Sequence, residues 1–118
     1  MPSQVVDHLT PRPKTVLASA PAAEAAELLA RENVRDVLVL DERGLLVGVI
    51  DAPPPAGMLA GEACRPVGPS LSPDDDAEEA LRRMERADVL RLPVVAPDGT
   101  LVGVIARRLL AEQLGHGT

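Results

Sequence analysis

The sequence predicts a mixed α/β fold of the α+β kind, in which one small β-α-β-β-α-like unit is built twice. The stretch LVGVI stands at Leu46–Ile50 and again at Leu101–Ile105, each time two residues after a glycine. Sliding the chain by 55 residues lays one on the other, and the register holds without a gap from Pro11 on Pro66 to Asp51 on Ala106, with 13 identities in 41 pairs. Each copy also carries one segment of helical period followed by two short apolar runs. That combination is the mark of an internal duplication of a strand-and-helix unit.

Each copy opens on an extended lead-in, KTVLAS (Lys14–Ser19) or GPSLSP (Gly68–Pro73). A helix follows. Ala77, Ala80, Leu81, Met84 and Ala87 fall on one face of a 3.6-residue period, and Ala22, Ala25, Ala26 and Leu29 repeat that face upstream. Asp76 with Glu79 three residues on reads as a capping box, and the acidic run before Ala77 suits the positive end of the helix dipole. The short apolar runs Val37–Leu40 and Leu92–Val95 are then strands, turned through DERG and APDG into the repeated LVGVI strand. Gly44 and Gly99 stand where a positive φ closes such a turn at little steric cost. Continuous apolar strands imply burial on both faces.

The copies diverge after that strand. Ala106–Gly115 reads as a second helix stopped by Gly115, whereas Pro53, Pro54 and Pro55 forbid a helix at the matching place. The predicted organisation is therefore repeat 1 over residues 1–51, a semi-rigid proline-rich linker over 52–65, and repeat 2 over 66–118.

Composition excludes several classes. Lys and Arg number 12 against 18 Asp and Glu, a net charge of −6, and with no Phe, Trp or Tyr there is neither a basic stripe nor a stacking platform for nucleic acid. No apolar run is long enough for a membrane span, and MPSQVVDHLTPRPK lacks the apolar core of a signal peptide, so a cytoplasmic protein is expected. A lone Cys64 makes no internal disulfide and reads as a small, half-buried residue. His8 and His116 have no nucleophile and orienting acid at a recognisable spacing. No catalytic or Walker-type motif is present, and the acidic run lacks a second set of ligands, so neither an enzyme nor a metal site is expected.

The doubled unit, with DDDAEEALRRMERADVLRLPVVAPDGTLVGVI as its best copy, resembles the CBS domain, and two in tandem resemble a Bateman module. The resemblance implies two repeats packed sheet to sheet about a pseudo-twofold axis. It implies two clefts that take AMP, ADP, ATP or an S-adenosyl compound, with no cofactor required, and occupancy that controls an effector protein in trans. It also implies a homodimer, paired through a last helix whose Leu109, Leu110 and Leu114 would be left uncovered. One cleft would be lined by Thr15, Val16, Arg35, Asp36, Val37 and Leu38, and closed by Ala106, Arg107 and Arg108. Arg107 and Arg108 are candidates to hold phosphate oxygens, against the plainer reading of Arg108 and Glu112 as a surface pair on the last helix. The other cleft would use Ser70, Leu71, Leu90, Arg91, Leu92 and Pro93, with Asp51 near the ribose. Both copies depart from the family's Ser/Thr-x-x-Asp after the second strand, reading Ala106-Arg107-Arg108-Leu109 and Asp51-Ala52-Pro53-Pro54. That departure keeps open the alternative of a ligand-free interaction or dimerisation module.

Overall fold

The computed structural model describes residues 3–10 and 13–115. Pro11, where the repeat register begins, and His116 lie outside them. Two compact units emerge, one over residues 13–68 and one that joins the N-terminal residues to 69–115.

In the first unit β1 (Thr15–Leu17), α1 (Ala22–Leu29), β2 (Val37–Leu40) and β3 (Leu46–Ile50) form a three-stranded sheet in the order β1-β2-β3, with a helix packed on it. β1 runs parallel to β2, and β2 is antiparallel to β3. Val37, Leu38 and Val39 are all buried, as a continuous apolar strand requires. The second unit repeats the plan with α3 (Ala77–Ala87), β4 (Arg91–Val95), β5 (Leu101–Ala106) and α4 (Arg107–Gln113), and its sheet has two strands. The duplication holds to the level of pairing. Val37 faces Ile50 as Leu92 faces Ile105, and both hairpins shift register after the same position, Val39 and Val94. Gly44 and Gly99 take φ of 84° and 93°, and Asp76 caps α3 by accepting the Glu79 amide at 2.9 Å. Asn33 and Asp88, matched in the register, share the left-handed conformation that Asn and Asp tolerate.

Two expectations are corrected. The last helix does not present Leu110 to a partner. Leu110 is fully buried in the second unit's core with Val5, Leu71, Leu81, Met84, Val94 and Ile105, and Leu114 packs against that core, because α4 covers the sheet beside α3. The segment 52–65 is also more than a spacer. It contains α2 (Ala60–Ala63), whose Ala60 is buried with Val16, Ala25, Val37, Val39 and Ile50, and its Arg65 pairs with Val49.

This segment is the second copy of the chain's first described residues, extending the duplication upstream of Pro11. A 3-10 helix, Val5–His8, matches α2, and the amide before each donates to a carboxylate three residues on, Gln4 to Asp7 at 3.0 Å and Leu59 to Glu62 at 2.9 Å. The two pieces are exchanged in sequence. Residues 3–10 precede the first repeat yet complete the second, where Gln4 bridges Asp76 and Thr10 bridges Val104. Residues 58–65 precede the second yet complete the first, where Leu59 bridges Pro21 and Arg65 bridges Val49. The Val5 amide reaches the Asp75 carbonyl, and its counterpart Ala60 reaches Ala20, both at 2.8 Å. His8 is spent on the same tie, with Nδ1 2.6 Å from Gln113 Oε1 and Nε2 2.8 Å from Ser3 Oγ.

Candidate functional site

Both predicted clefts draw on the open end of a hairpin, where the residues before the first strand meet those after the second. In the first repeat these are Arg35–Leu38 and Ile50–Asp51. In the second they are Leu90–Pro93 and Ala106–Arg107, joined by the pairing of Arg91 with Ala106 and by the Arg107 amide donating to the Leu90 carbonyl at 2.9 Å.

Alternation along the strands decides which side chains are available there. Val16, Val37, Leu71 and Leu92 point into the two cores, and Leu38 is buried as well. Thr15, Arg35, Asp51, Ser70, Leu90, Arg91 and Arg108 are exposed, while Asp36, Pro93, Ala106 and Arg107 are half-buried. A ligand at these positions would meet polar side chains, backbone and the exposed Leu90, with the buried Val16, Val37, Leu38, Leu71 and Leu92 acting as support beneath.

The charged candidates have protein partners. Asp51 forms an ion pair with Arg65 at 2.7 Å, reinforced by the Arg65 Nε donating to the same oxygen at 2.9 Å. That guanidinium holds the Asp51 carboxyl below the ordinary aspartate range, chiefly through the hydrogen bond. Asp51 in turn holds the Arg65 proton more firmly, and Asp36, one residue before the Val37–Ile50 pair, adds to the attraction. Arg107 leans back on Asp88 at 3.3 Å, and Arg108 reaches Glu112 at 3.5 Å, the surface pair its spacing predicted. Sequence reasoning missed Arg65 and Asp88. Both lie outside the motif positions, and only the upstream repeat places Arg65 beside β3.

Two of the concave regions formed by the described residues lie elsewhere. One, of about 280 Å³, is lined by Ala18, Ser19, Asp41, Glu42 and Arg43, where the Asp41 carboxylate is already taken by the Arg43 and Leu45 amides. The other, of about 380 Å³, is lined by Pro69, Arg83, Arg86, Ala87, Val89 and Leu92, and of the predicted residues it includes Leu92. Among the described residues no group of three or more His, Cys, Asp or Glu is arranged to hold a metal ion, and no helix is long and apolar enough to cross a membrane.

The family model of the CBS domain matches residues 5–52 and again 61–116. The chain belongs to the CBS domain family. Both matches begin on the exchanged segments, at Val5 and Gly61, so the family's own unit includes the pieces that the sequence comparison left out. Among solved structures, this CBS pair resembles CBSX2 from Arabidopsis thaliana, a CBS-pair protein, at 26% identity with a TM-score of 0.78, over 100% of both chains. CBSX2 in complex with AMP is similar at 26% identity and a TM-score of 0.77, covering 94% of this chain and 95% of that one. The cytosolic domain of the Mg2+ channel MgtE in complex with ATP is similar at 26% identity and 0.77, covering 93% of this chain. The CBS pair spans only about half, 48%, of that longer chain. Comparison with curated protein sequences gives no match.

Proposed function

We propose that this CBS pair is a cytoplasmic regulatory module that binds an adenosine nucleotide or S-adenosyl compound and passes its occupancy to a separate effector protein, with no chemistry of its own. The observation that carries this reading is the likeness, over nearly the whole of both chains, to a CBS pair solved with AMP. The contacts proposed are Thr15, Arg35 and Asp36 from the first repeat with Arg107 and Arg108 from the second. A second position, less favoured, would use Asp51 with Ser70, Leu90 and Arg91. The ion pairs that hold Arg107 and Arg108 each include an exposed carboxylate, and such pairs are weak enough for a phosphate to displace. With the ribose-binding motif missing from both copies, affinity should be reduced, and salt should reduce it further by screening arginine and phosphate.

A second reading is favoured by one feature. Asp51, Arg107 and Arg108 each already have a protein partner, as they would in an interaction or homodimerisation module without ligand. Calorimetric titration with AMP, ADP and ATP separates the two. Saturable binding that falls about tenfold or more in the Arg107→Ala, Arg108→Ala double variant supports the sensor, since a charge-assisted hydrogen bond is worth about 1.5–3 kcal/mol. Absence of binding by all three nucleotides and by S-adenosylmethionine replaces it with the interaction module, whose homodimer sedimentation would detect. With no Trp or Tyr in the chain, adenine retained through purification would be visible in the near ultraviolet.

A further inference from the structure

We propose that the first repeat carries a separate site for a small free amino acid at the closed end of its hairpin, away from the open end that supplies the nucleotide contacts. The concave region there, of about 280 Å³, is framed by backbone hydrogen bonds. Ala18, after β1, donates its amide to the Leu40 carbonyl at 2.7 Å and accepts the Gly61 amide at 2.9 Å, and the Ala20 amide turns back to Leu17 at 3.0 Å. The turn between β2 and β3 is closed by the Gly44 amide on the Asp41 carbonyl at 3.0 Å. Ser19, Asp41, Glu42 and Arg43 line the space between these two pieces.

The side chains there carry opposite charges that do not neutralise one another. The Arg43 and Leu45 amides both donate to one Asp41 oxygen, Oδ1, at 2.8 and 2.9 Å, so Oδ2 is left open. The side chains of Ser19, Glu42 and Arg43 have no hydrogen bond or ion pair with the described residues, although Glu42 and Arg43 are neighbours in sequence. Three acceptors and one planar donor fork therefore line a single concavity. A bare anion would meet two carboxylates there, and a bare cation would meet the guanidinium. A molecule with an ammonium and a carboxylate on one carbon answers both signs. Its three N–H donors match Asp41, Glu42 and Ser19, and its carboxylate accepts from the Arg43 fork. At about 280 Å³, with Ala18 as its apolar wall among the described residues, the space suits an amino acid with a short side chain.

The second repeat shows that the fold does not demand this set. At the positions matched to Ser19, Asp41, Glu42 and Arg43 it has Asp74, Ala96, Pro97 and Asp98, with no cation among them. The same turn still closes, from the Gly99 amide to the Ala96 carbonyl at 2.9 Å. The set is a property of one copy, and none of its four residues belongs to the nucleotide contacts proposed above.

The test is a titration of the intact, isotope-labelled chain with L-alanine, followed by backbone amide resonances. Saturable shifts at Ser19, Glu42 and Arg43 are expected, with a Kd of about 1 mM because these groups are exposed. Propionate, which lacks the ammonium, and ethylamine, which lacks the carboxylate, should each bind about tenfold more weakly, since each gives up charge-assisted bonds. Arg43→Gln and Glu42→Gln leave the backbone bonds of the turn in place and should each lose about tenfold in affinity. Arg31→Gln, on the same repeat, should change nothing. No saturable shift at about 50 mM L-alanine, shifts that fall elsewhere, an analogue that binds as well as L-alanine, or two variants that bind as well as the parent would overturn the site. A parallel titration with AMP separates this inference from the proposed function. AMP binding retained by Arg43→Gln supports a separate site, and AMP binding lost together with that of L-alanine overturns it. L-alanine bound by a chain that takes no AMP supports the amino-acid site and overturns the nucleotide reading alone.

Discussion

In the first repeat the lead-in pairs with β2 along three residues, Thr15 to Leu17, whereas in the second the same contact shrinks to one bridge, Leu71 to Val94. Both central hydrogen bonds of the second are intact, from the Leu71 amide to the Pro93 carbonyl at 2.9 Å and from the Val95 amide to the Leu71 carbonyl at 2.8 Å. What differs lies at either side. The Leu38 amide donates to the Lys14 carbonyl at 2.9 Å and the Ala18 amide to Leu40 at 2.7 Å, and the residues matched to Leu38 and Ala18 are Pro93 and Pro73. Proline has no amide hydrogen to give, so both outer bonds are impossible in the second copy and the third strand is not completed. Two prolines thus change a sheet's strand count while leaving its register and core untouched.

The largest effect should come from the second core. Leu110→Glu places a carboxylate among Leu81, Met84 and Ile105, and an unpaired buried charge costs several kcal/mol against a total stability of about 5–15 kcal/mol. A circular-dichroism melt should show loss of the folded state. Had the residue served only a dimer contact, the melt would hardly move.

The glycines of the repeated strand should separate the copies next. A Cβ on Gly48 would meet the Cys64 sulfur and the Arg65 carbonyl, backbone that cannot retreat, while the nearest atoms to one on Gly103 would be those of the Leu9 side chain, at 3.0–3.3 Å. Gly48→Ala should therefore destabilise by about 1–3 kcal/mol and Gly103→Ala by under about 1 kcal/mol. Equal losses in urea unfolding would show that the two exchanged segments are held alike.

Pro93→Val sharpens the strand comparison directly. It restores a donor opposite the Pro69 carbonyl, and the amide of residue 93 should be protected in hydrogen exchange. A typical hydrogen bond contributes about 0.5–1.5 kcal/mol, so the gain in stability should be of that order. An unprotected amide would mean that Pro73 alone prevents the strand.

The smallest effect concerns the ion pair found only in the first repeat. Arg65 lowers the Asp51 pKa in the folded protein from the ordinary 3.8, so the pair's contribution is complete above that value and is lost as pH falls through the lower folded one. The second repeat has Ala106 at the matched place. Arg65→Ala should remove this part of the acid sensitivity below about pH 4 while costing under about 1 kcal/mol at neutral pH, as exposed pairs do. Identical acid profiles for parent and variant would show that the pair contributes nothing.

The parts of the fold that could be read in the sequence are those where the copies kept the same residues. The repeated LVGVI marks both hairpins, Gly44 and Gly99 mark the turns, and the spacing of Ala77, Ala80, Leu81 and Met84 gives the buried face of α3. The exchanged segments were not readable because SQVVDHLT and MLAGEACR have no residue in common at any matched position. Their likeness lies in backbone hydrogen bonds, which any side chain can accompany, and in the Asp7 and Glu62 carboxylates, which differ in residue type. The missing third strand was written in Pro73 and Pro93, but its sign appears only once the parallel partner is known. At the residues proposed for the site, the protein partners were not legible, since neither Arg65 beside Asp51 nor Asp88 beside Arg107 follows from local spacing.

The exchange of leading segments also gives the chain an order of assembly. Residues 13–68 form one contiguous unit, so its sheet and α2 can close as soon as that stretch has left the ribosome. The other unit has to wait, because Thr10, through both its amide and its hydroxyl, bonds the carbonyl of Val104, 94 positions later. Until Val104 is made, Val5 has no core to enter and stays in water. Contacts so distant in sequence slow folding more than they weaken the finished protein, because the cost of closing a loop grows only with the logarithm of its length. During synthesis residues 3–10 are thus made well before the partners they pack on and are among the last of their unit to be placed.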